Sequence, residues 1–552
     1  MHRRRLTRSI AMTAIGVGLL VASSFAGAAS ASAPQKAGSG EAKRGGTLRL
    51  NVSNTDFEFT DPAMAYDAIG WQMLYAVNIT LLNYPDKPAP EGTRLVAEAA
   101  TGFPRVSRDG KTYTFTVRSG LKFSDGSAVT AAAFKRAMER AADPQQASPA
   151  IAFLHDVVGA DDRNAGKARS VTGVTARGQT LVIRLKQANP TFLAELAMPF
   201  FGAVKPDMAI DPRGISVFPS AGPYRIVSRS ISQSLTLARN PNYKGSRPAN
   251  ADRIVYTVNT DQNQSLLQVR AGQADYDASG VPPTAHADLA QQFGVKKGGA
   301  GRYFVNPYMG VSYVALNTSR APFSRSNIRK AANFAIDRPA LVRVSGKYYG
   351  KRTDQILPPT LQGYREATLY PIKGANPAKA RQLSGGAQNT VTIIHSTTAL
   401  RTAQAQVLKF NLEQMGLKAE TRPLPFAVAL RTVGTRGADF DAYVGGWVAD
   451  YPDPFDFINV LLDGGNIQAS NNNNYSYFND AKFNKQMNDF AKLSGPNRYG
   501  SYGKLDVDLM RNAAPWAPFA NPNSREFVSG RITNYIHHPV YAGAVINALA
   551  IK

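Results

Sequence analysis

The chain has 552 residues, of which 43% are hydrophobic and 19% charged, and it contains no cysteine. This length and composition indicate a globular protein of roughly two to four domains that is stabilised by a hydrophobic core instead of disulfides. The formal net charge is +25, but the lysines and arginines are scattered and do not form the stripe or run typical of nucleic-acid-binding proteins, so no nucleic-acid partner is expected.

The first residues are typical of a secretory signal peptide. Basic residues at 3–5 precede an apolar stretch at 10–22 and a small-residue cleavage site that ends at Ala31, so a signal peptide is predicted over residues 1–31. The apolar stretch is shorter than the about 20 residues that span a membrane. We therefore expect a secreted protein, exported by the general or the twin-arginine route. Residues 32–44 are small and polar and predict a flexible leader.

Attachment to the cell surface cannot rely on an N-terminal lipid anchor, because the chain has no cysteine to carry the lipid. The net charge falls to +21 when the four arginines of the signal peptide are removed, which is still high. Many weak, salt-sensitive contacts with anionic lipid or wall polymer are therefore expected to hold the protein near the surface.

Beyond the leader, strand-like and helix-like patterns alternate. Polar and apolar residues in alternation predict strands, and apolar residues at helical spacing predict helices. The clearest predicted elements are strands over 46–52 and 112–118, a helix capped by Thr130, a strand and turn over 234–243, helices from Ser326 and over 401–415, and a strand over 417–424. No solenoid repeat or heptad array occurs. The mixture predicts an α/β protein with several mixed sheets.

The run from Asp441 to Pro454 suits a ligand-binding segment. Its first residues favour a short strand, and Gly445-Gly446 allows close approach of another backbone. Two prolines then prevent a helix, so Trp447 and Asp450 would lie on a stiff irregular segment. Taken alone, the run is explained equally well by an ordinary strand end with a packed tryptophan and a solvated aspartate.

Several stretches together resemble a known family. They are 112–134 (TYTFTVRSGLKFSDGSAVTAAAF), 221–243, 266–275 (LLQVRAGQAD), 317–342 (NTSRAPFSRSNIRKAANFAIDRPALV) and 446–454. They occur in the family's order across most of the mature chain. By these stretches the chain resembles the extracellular solute-binding proteins, family 5, of ABC importers that take up oligopeptides, dipeptides and nickel.

This resemblance implies a two-lobed α/β fold of the periplasmic-binding-protein kind (type II, cluster C). The lobes close on a ligand about a hinge, and an extra α/β domain is inserted in the first lobe. By analogy the first lobe comprises 45–73, 200–305 and 519–552, the inserted domain 74–199, and the second lobe 306–518. Hinge motion is then expected near Val305 and Phe519.

The resemblance also implies the site. In peptide-binding members, an aspartate in the segment that matches 447–454 pairs with the ligand's α-amino group, and the adjacent backbone pairs with the peptide like an added strand. Asp450 occupies that position here. A carboxylate 4 Å from an ammonium contributes about 4 kcal/mol at an effective dielectric near 20. The residues expected at the ligand are Gly446, Trp447, Val448, Ala449, Asp450, Tyr451, Asn474 and Tyr475.

Recognition of a ligand carboxylate is less defined. Some oligopeptide-binding members carry an arginine three residues before the motif tryptophan, where this chain has Val444. Arg436 is the candidate substitute, and an exposed surface arginine is the alternative. Asp453 and Asp456 are expected to cap or solvate the turn that follows the motif.

The predicted function is capture of peptides by lobe closure and delivery to the permease subunits of an ABC importer. The protein is expected to act as a monomer with neither a cofactor nor a protein-bound metal. An enzyme is not expected, since the chain lacks a Gly-x-Ser-x-Gly elbow, a His-Glu-x-x-His motif and a cysteine nucleophile. The alternatives are an oligosaccharide or a chelated nickel ion as ligand, and a surface binder that feeds no transporter.

Overall fold

The computed structural model describes residues 44–552, so the predicted signal peptide and all but the last residue of the predicted leader lie outside the described residues. The first half of the described chain contains β1 (Thr47–Ser53), α1 (Ala68–Val77), β2 (Leu82–Asn83), β3 (Val96–Ala97), β4 (Arg105–Val106), β5 (Thr112–Thr116), α2 (Ala131–Ala141), α3 (Ala160–Asn164), β6 (Val174–Arg177), β7 (Thr180–Arg184), α4 (Phe192–Glu195), β8 (Tyr224–Ser230), β9 (Ser234–Arg239), β10 (Arg253–Thr260), α5 (Gln262–Ala271), β11 (Tyr276–Asp277) and α6 (His286–Phe293).

The second half has a similar alternation of helices and strands. It contains β12 (Tyr303–Pro307), β13 (Gly310–Leu316), α7 (Ser326–Ala335), α8 (Arg338–Val344), β14 (Gly350–Arg352), α9 (Pro377–Ser384), β15 (Thr390–Ser396), α10 (Ala399–Gln414), β16 (Lys418–Leu424), α11 (Phe426–Val433), β17 (Ala442–Val448), α12 (Phe455–Leu462), α13 (Ala481–Ala491), α14 (Gly495–Asp508), β18 (Trp516–Phe527), β19 (Ile532–Asn534), β20 (His537–His538), β21 (Gly543–Ala544) and β22 (Ala550–Ile551).

The elements predicted from residue patterns are confirmed, with small differences at two helix starts. They correspond to β1, β5, α2, β9, α7, α10 and β16. Helix α10 begins at Ala399, before the predicted start, because the Thr398 hydroxyl accepts the backbone N–H of Arg401 as an N-cap. Thr130 lies at the N-cap position of α2, but its side chain makes no capping hydrogen bond.

The first lobe is built on a five-stranded sheet in the order β11-β1-β10-β9-β8. A second, four-stranded antiparallel sheet in the order β4-β5-β7-β6 lies beside it. Side chains from both sheets, among them Leu50, Phe115, Ile183 and Tyr256, belong to one continuous hydrophobic core. The two sheets therefore share one hydrophobic core.

The second lobe is built on a sheet in the order β12-β18-β13-β17-β15-β16, with β14 paired to β18. Successive side chains of a strand point to opposite faces. On β13, Tyr313 and Ala315 accordingly enter one hydrophobic core, whereas Val314 and Leu316 enter another. Both faces of this sheet are thus buried, which holds β17 rigidly in its centre.

Strand β18 links the two large sheets. The first part of β18 pairs with β13, its last part pairs with β12, and the next residue, Val528, bridges to Tyr276 of the first-lobe sheet. Tyr451 of the second lobe enters the first-lobe core, and Tyr84 of the first half of the chain enters a second-lobe core. The lobes therefore touch at the end of β17. No helix within residues 44–552 is both long and apolar enough to cross a membrane.

Candidate ligand-binding site

Strand β17 has a partly open edge. It pairs with β13 along its whole length, from Leu316 opposite Ala442 to Gly310 opposite Val448. On its other side β15 pairs only with Ala442 and Tyr443. The backbone of residues 444–448 therefore has no strand partner on that side within the described chain. Such an edge can accept an extended segment as an additional strand.

The position of this edge follows from the topology. Strands β16, β15 and β17 are mutually parallel, so their carboxyl ends lie at one edge of the sheet. Ligands of open α/β sheets bind outside such carboxyl ends. The segment after β17, which begins with Ala449, and the segment after β15, which leads into α10, converge there.

Asp450 lies at the contact between the lobes. It is 7% exposed, and its Oδ2 accepts a hydrogen bond from the Tyr66 hydroxyl of the first lobe at 2.5 Å. Tyr66 also packs edge-on to Trp447, with 6.4 Å between ring centroids, and contacts Trp71 and Phe200 of its own lobe. An aromatic wall from both lobes therefore surrounds the Asp450 carboxyl.

A second carboxyl group, that of Asp456, lies directly beside the first. Asp456 is fully buried in α12, and its Oδ2 accepts the indole N–H of Trp447 and the backbone N–H of Asp450, each at 3.0 Å. It neither caps the turn nor faces solvent, so that prediction was wrong. Asp453 does cap the turn through the backbone N–H of Phe455.

Burial disfavours the ionised form of both carboxyl groups. Burial raises the pKa of Asp450 to about 7, and the hydrogen bonds from Tyr66 and Asp456 offset only part of this rise. Burial and the charge of Asp450 raise the pKa of Asp456 well above its ordinary value. The hydroxyl of Tyr66 has its pKa raised by burial and by Asp450, so it remains a donor at neutral pH.

This carboxyl pair has no cation of its own. Among residues 44–552, no lysine, arginine or histidine nitrogen lies within 4.0 Å of Asp450 or Asp456, whereas Asp453 nearby is paired with Arg498 Nη2 at 2.8 Å. Buried carboxylates are normally paired with positive charge. The pair is therefore suited to bind a positively charged group supplied by a ligand.

A free cation lies at the other end of the open edge. Arg401, in the first turn of α10, is half-buried and donates to Gln404 Oε1 at 2.9 Å. A Cβ atom on Gly446 would be 3.1 Å from its guanidinium, which is tighter than an ordinary contact, so the absence of a side chain at Gly446 eases this close approach. Its charge lowers the otherwise raised pKa values of Tyr308 and Tyr443, which places it among these hydroxyls. No carboxylate in the described residues pairs with Arg401.

Comparison with known proteins now assigns the chain to a family. Residues 94–469 match the model of the bacterial extracellular solute-binding proteins, family 5 Middle. This match covers more than half of the chain. The chain belongs to this family.

Relatives of this solute-binding protein are similar over most of their length. Heme-binding protein A of Haemophilus influenzae is 26% identical over 79% of this chain and 80% of its own. Dipeptide-binding protein DppE of Bacillus subtilis is 24% identical over 95% and 96%. The structure of the ABC transporter-associated periplasmic binding protein DppA from Helicobacter pylori, in complex with peptide STSA, has a TM-score of 0.77 at 20% identity and covers 92% of this chain and 99% of that one. The predicted two-lobed fold is confirmed.

Most of the residues predicted for the site in this solute-binding protein lie together. Gly446, Trp447 and Val448 end β17, Ala449 donates its N–H to Met309, and Tyr451 is completely buried with a hydroxyl that has no described partner. Tyr475 packs edge-on to Tyr443, with 5.3 Å between ring centroids, and is close enough to Tyr66 to raise its pKa.

Two predicted residues are placed differently. Asn474 is buried, but its amide group is used within its own loop, where it donates to Phe478 O and accepts from Ser476 and Phe478. Arg436 is exposed in the turn after α11, and its backbone N–H donates to Ala469. Neither side chain is brought to the carboxyl pair or to Arg401 by a described contact.

Two residues at the candidate site, Tyr66 and Arg401, were not predicted, and Asp456 was predicted in a different role. Arg401 could have been predicted, because it follows the strand-like stretch that forms β15, and ligands of α/β sheets bind at the carboxyl ends of parallel strands. Tyr66 could not have been predicted from a local pattern, because it is 384 positions away in the sequence from Asp450, which it contacts.

Proposed function

We propose that this protein is the substrate-binding component of an ABC importer for short peptides. The observation that carries this proposal is the pair of buried, cation-free carboxyl groups at the lobe contact, next to an open strand edge. The relatives named for a dipeptide and solved with a bound peptide support the same ligand class. The protein is a binder and not an enzyme, and it acts as a monomer.

The peptide would bind in one direction along β17. Its α-ammonium pairs with Asp450, its backbone bonds to the open edge of residues 444–448, and its carboxylate reaches Arg401 beside Gly446. Four residue steps separate Gly446 from Asp450, or about 13 Å in an extended chain. Peptides of about three to five residues match this span. Backbone pairing supplies affinity without reading side chains, which suits a transporter of many peptides.

Closure and delivery use the rest of the fold. Residues 45–73, 200–305 and 519–552 form one lobe with the inserted segment 74–199, and residues 306–518 form the other, with motion at β12 and β18. The closed lobes exclude water from the carboxyl pair and present a surface to the permease. The scattered positive charge keeps the protein near anionic lipid or wall polymer.

Binding of free and blocked peptides tests this function. Tetraalanine at 100 times its dissociation constant should stabilise the purified protein by about 2.7 kcal/mol. Nα-acetylated tetraalanine should give no stabilisation at the same concentration, because the acetyl group removes the charge that the carboxyl pair binds. Thermal unfolding monitored by fluorescence measures both. Stabilisation by oligosaccharides or nickel chelates, with none by tri- to pentapeptides, would refute the proposal in favour of those ligands.

Replacement of Arg401 tests the carboxylate end. Arg401→Ala should weaken binding of tetraalanine about tenfold to a hundredfold, the usual loss for a charged hydrogen-bond donor. Binding of the C-terminal amide of tetraalanine should be unaffected, since that ligand has no carboxylate. Isothermal titration calorimetry gives the affinities. Arg436→Ala is the matched control and should bind both ligands like the wild type; the opposite result would place the carboxylate at Arg436.

A further inference from the structure

The side chain of Asp456 is only half satisfied by the protein. Its Oδ2 accepts two N–H groups, but its Oδ1 is buried and has no N–H or O–H donor among the described residues. A buried carboxylate oxygen without a donor is costly. The Oδ1 atom of an ionised Asp456 would stay without a hydrogen bond, whereas a protonated Oδ1 could donate one to a neighbouring acceptor.

The neighbouring Asp450 is the group with which Asp456 can pair. The Oδ2 atom of Asp456 accepts the backbone N–H of Asp450 at 3.0 Å, which holds the two side chains beside each other, and a hydrogen bond between the carboxyl groups contributes to the raised pKa of Asp456. Two ionised carboxylates in contact repel, and a proton on one of them turns repulsion into a hydrogen bond. Asp450 already accepts the Tyr66 O–H, which stabilises its negative charge. The proton is better held by Asp456, because its Oδ1 is buried without a donor and can carry the proton while Oδ2 keeps both of its N–H bonds.

We propose that Asp456 is a neutral carboxylic acid that donates its Oδ1–H to Asp450, so that the amine subsite carries one negative charge and selects a ligand with a single ammonium group there. Asp456 is a positioning residue that orients Asp450 and Trp447 without pairing with the ligand. The identity of the ligand rests on the proposed function, but the protonation of Asp456 does not.

The ionisation order agrees with this geometry. Burial and then the charge of Asp450 raise the pKa of Asp456 well above its ordinary value, whereas the hydrogen bond from Asp456 lowers the pKa of Asp450, so both effects favour the proton on Asp456. Three other ionisable groups interact directly with the pair: Tyr66 before α1, Tyr84 after β2 and Tyr451 of the same loop. Behind these tyrosines lie Glu195 of α4, Tyr475, and Asp453, which is already paired with Arg498 of α14.

Two substitutions separate a neutral from an ionised Asp456. In Asp456→Asn, the amide oxygen can accept the same two N–H groups and the amide N–H₂ can donate to Asp450, as the neutral acid does. We expect this variant to bind tetraalanine within threefold of the wild type at pH 7.5. Asp456→Ala, which can neither donate nor accept, should bind at least tenfold more weakly. If Asp456→Asn also binds tenfold more weakly, Asp456 is an ionised second carboxylate and the inference fails, while peptide binding by the wild type still stands.

Infrared spectroscopy tests the proton directly and needs no ligand. At pH 8 the wild type should show the carbonyl stretching band of a protonated carboxylic acid that is missing in Asp456→Asn. Glu195 and Asp506, whose pKa values burial raises to about 7, are mostly ionised at this pH and are common to both proteins. Identical spectra of the two proteins in this region would overturn the inference, whether or not the protein binds peptides.

Discussion

Replacement of Asp450 by asparagine is expected to weaken binding of tetraalanine at least about a hundredfold. The carboxyl is 7% exposed, and the closed lobes keep water from it. Opposite charges 4 Å apart contribute about 4 kcal/mol at an effective dielectric near 20, and an amide retains only a neutral hydrogen bond. A loss of about 2.8 kcal/mol corresponds to a hundredfold change in the dissociation constant. Isothermal titration calorimetry at pH 7.5 measures it.

A matched exposed carboxylate controls for the change in charge. Asp439 is an exposed aspartate of the same lobe that pairs with Arg320, and Asp439→Asn should bind tetraalanine like the wild type. The two variants carry the same change in net charge, so a general electrostatic effect would weaken both. Equal binding by Asp450→Asn and wild type would show that the amine lies elsewhere.

The Asp450 contact also makes capture depend on pH. Because burial raises the pKa of Asp450 to about 7, a proton competes with the ligand's ammonium below that pH. The affinity of the wild type should fall by up to tenfold per unit as the pH is lowered from 7 to 5. It should be level between pH 7 and the pKa of the peptide's amino group, about 8. Asp450→Asn should lose this dependence.

Arg140→Ala is expected to lower the free energy of unfolding by about 3–5 kcal/mol. Arg140 of α2 and Asp61 form a fully buried ion pair with two hydrogen bonds, of 2.8 and 2.7 Å, and Arg140 Nε also donates to Ala209 O. The backbone N–H groups of Ala63 and Ile215 complete the shell of Asp61. Removal of the guanidinium leaves a buried carboxylate without its cation, which costs about this amount.

Urea unfolding monitored by circular dichroism measures this loss. Lys135→Ala is the control on the same helix, because Lys135 is half-buried and its one ion pair among the described residues is an i,i+4 contact of 3.5 Å with Glu139. Its effect should be below about 0.5 kcal/mol. An equally small loss of unfolding free energy for Arg140→Ala would show that the ion pair of Arg140 and Asp61 contributes little to stability.

Local patterns were sufficient for much of the fold. The alternation in 112–118 and the helical spacing from Thr130 reflect which side of each element is buried, and that information is repeated every two to four residues. The same holds for β17, whose apolar residues and glycine pair marked a strand open to close approach. Asp450 was predicted from the stretch 446–454, one of those by which the chain resembles its family.

The composition of the site was decided by the tertiary structure. Asp456 reads locally as a turn residue, yet the fold of the loop brings it into contact with Asp450 and the indole of Trp447. Asn474 looked available, but its own loop uses every polar atom of its side chain. Arg436 and Arg401 are both arginines near the motif, and the parallel pairing of β15 and β17 brings only Arg401 to the open edge.

The sequence by itself was sufficient to predict several of the helices and strands, the family and the aspartate proposed to bind the ligand's amine, because these depend on patterns within short stretches of chain. Only the tertiary structure decided which groups surround that aspartate. Lobe contact and strand register bring together residues as distant as Tyr66 and Asp450. The energy of such contacts depends on burial and on the exclusion of water, and neither is expressed in any local pattern of residues.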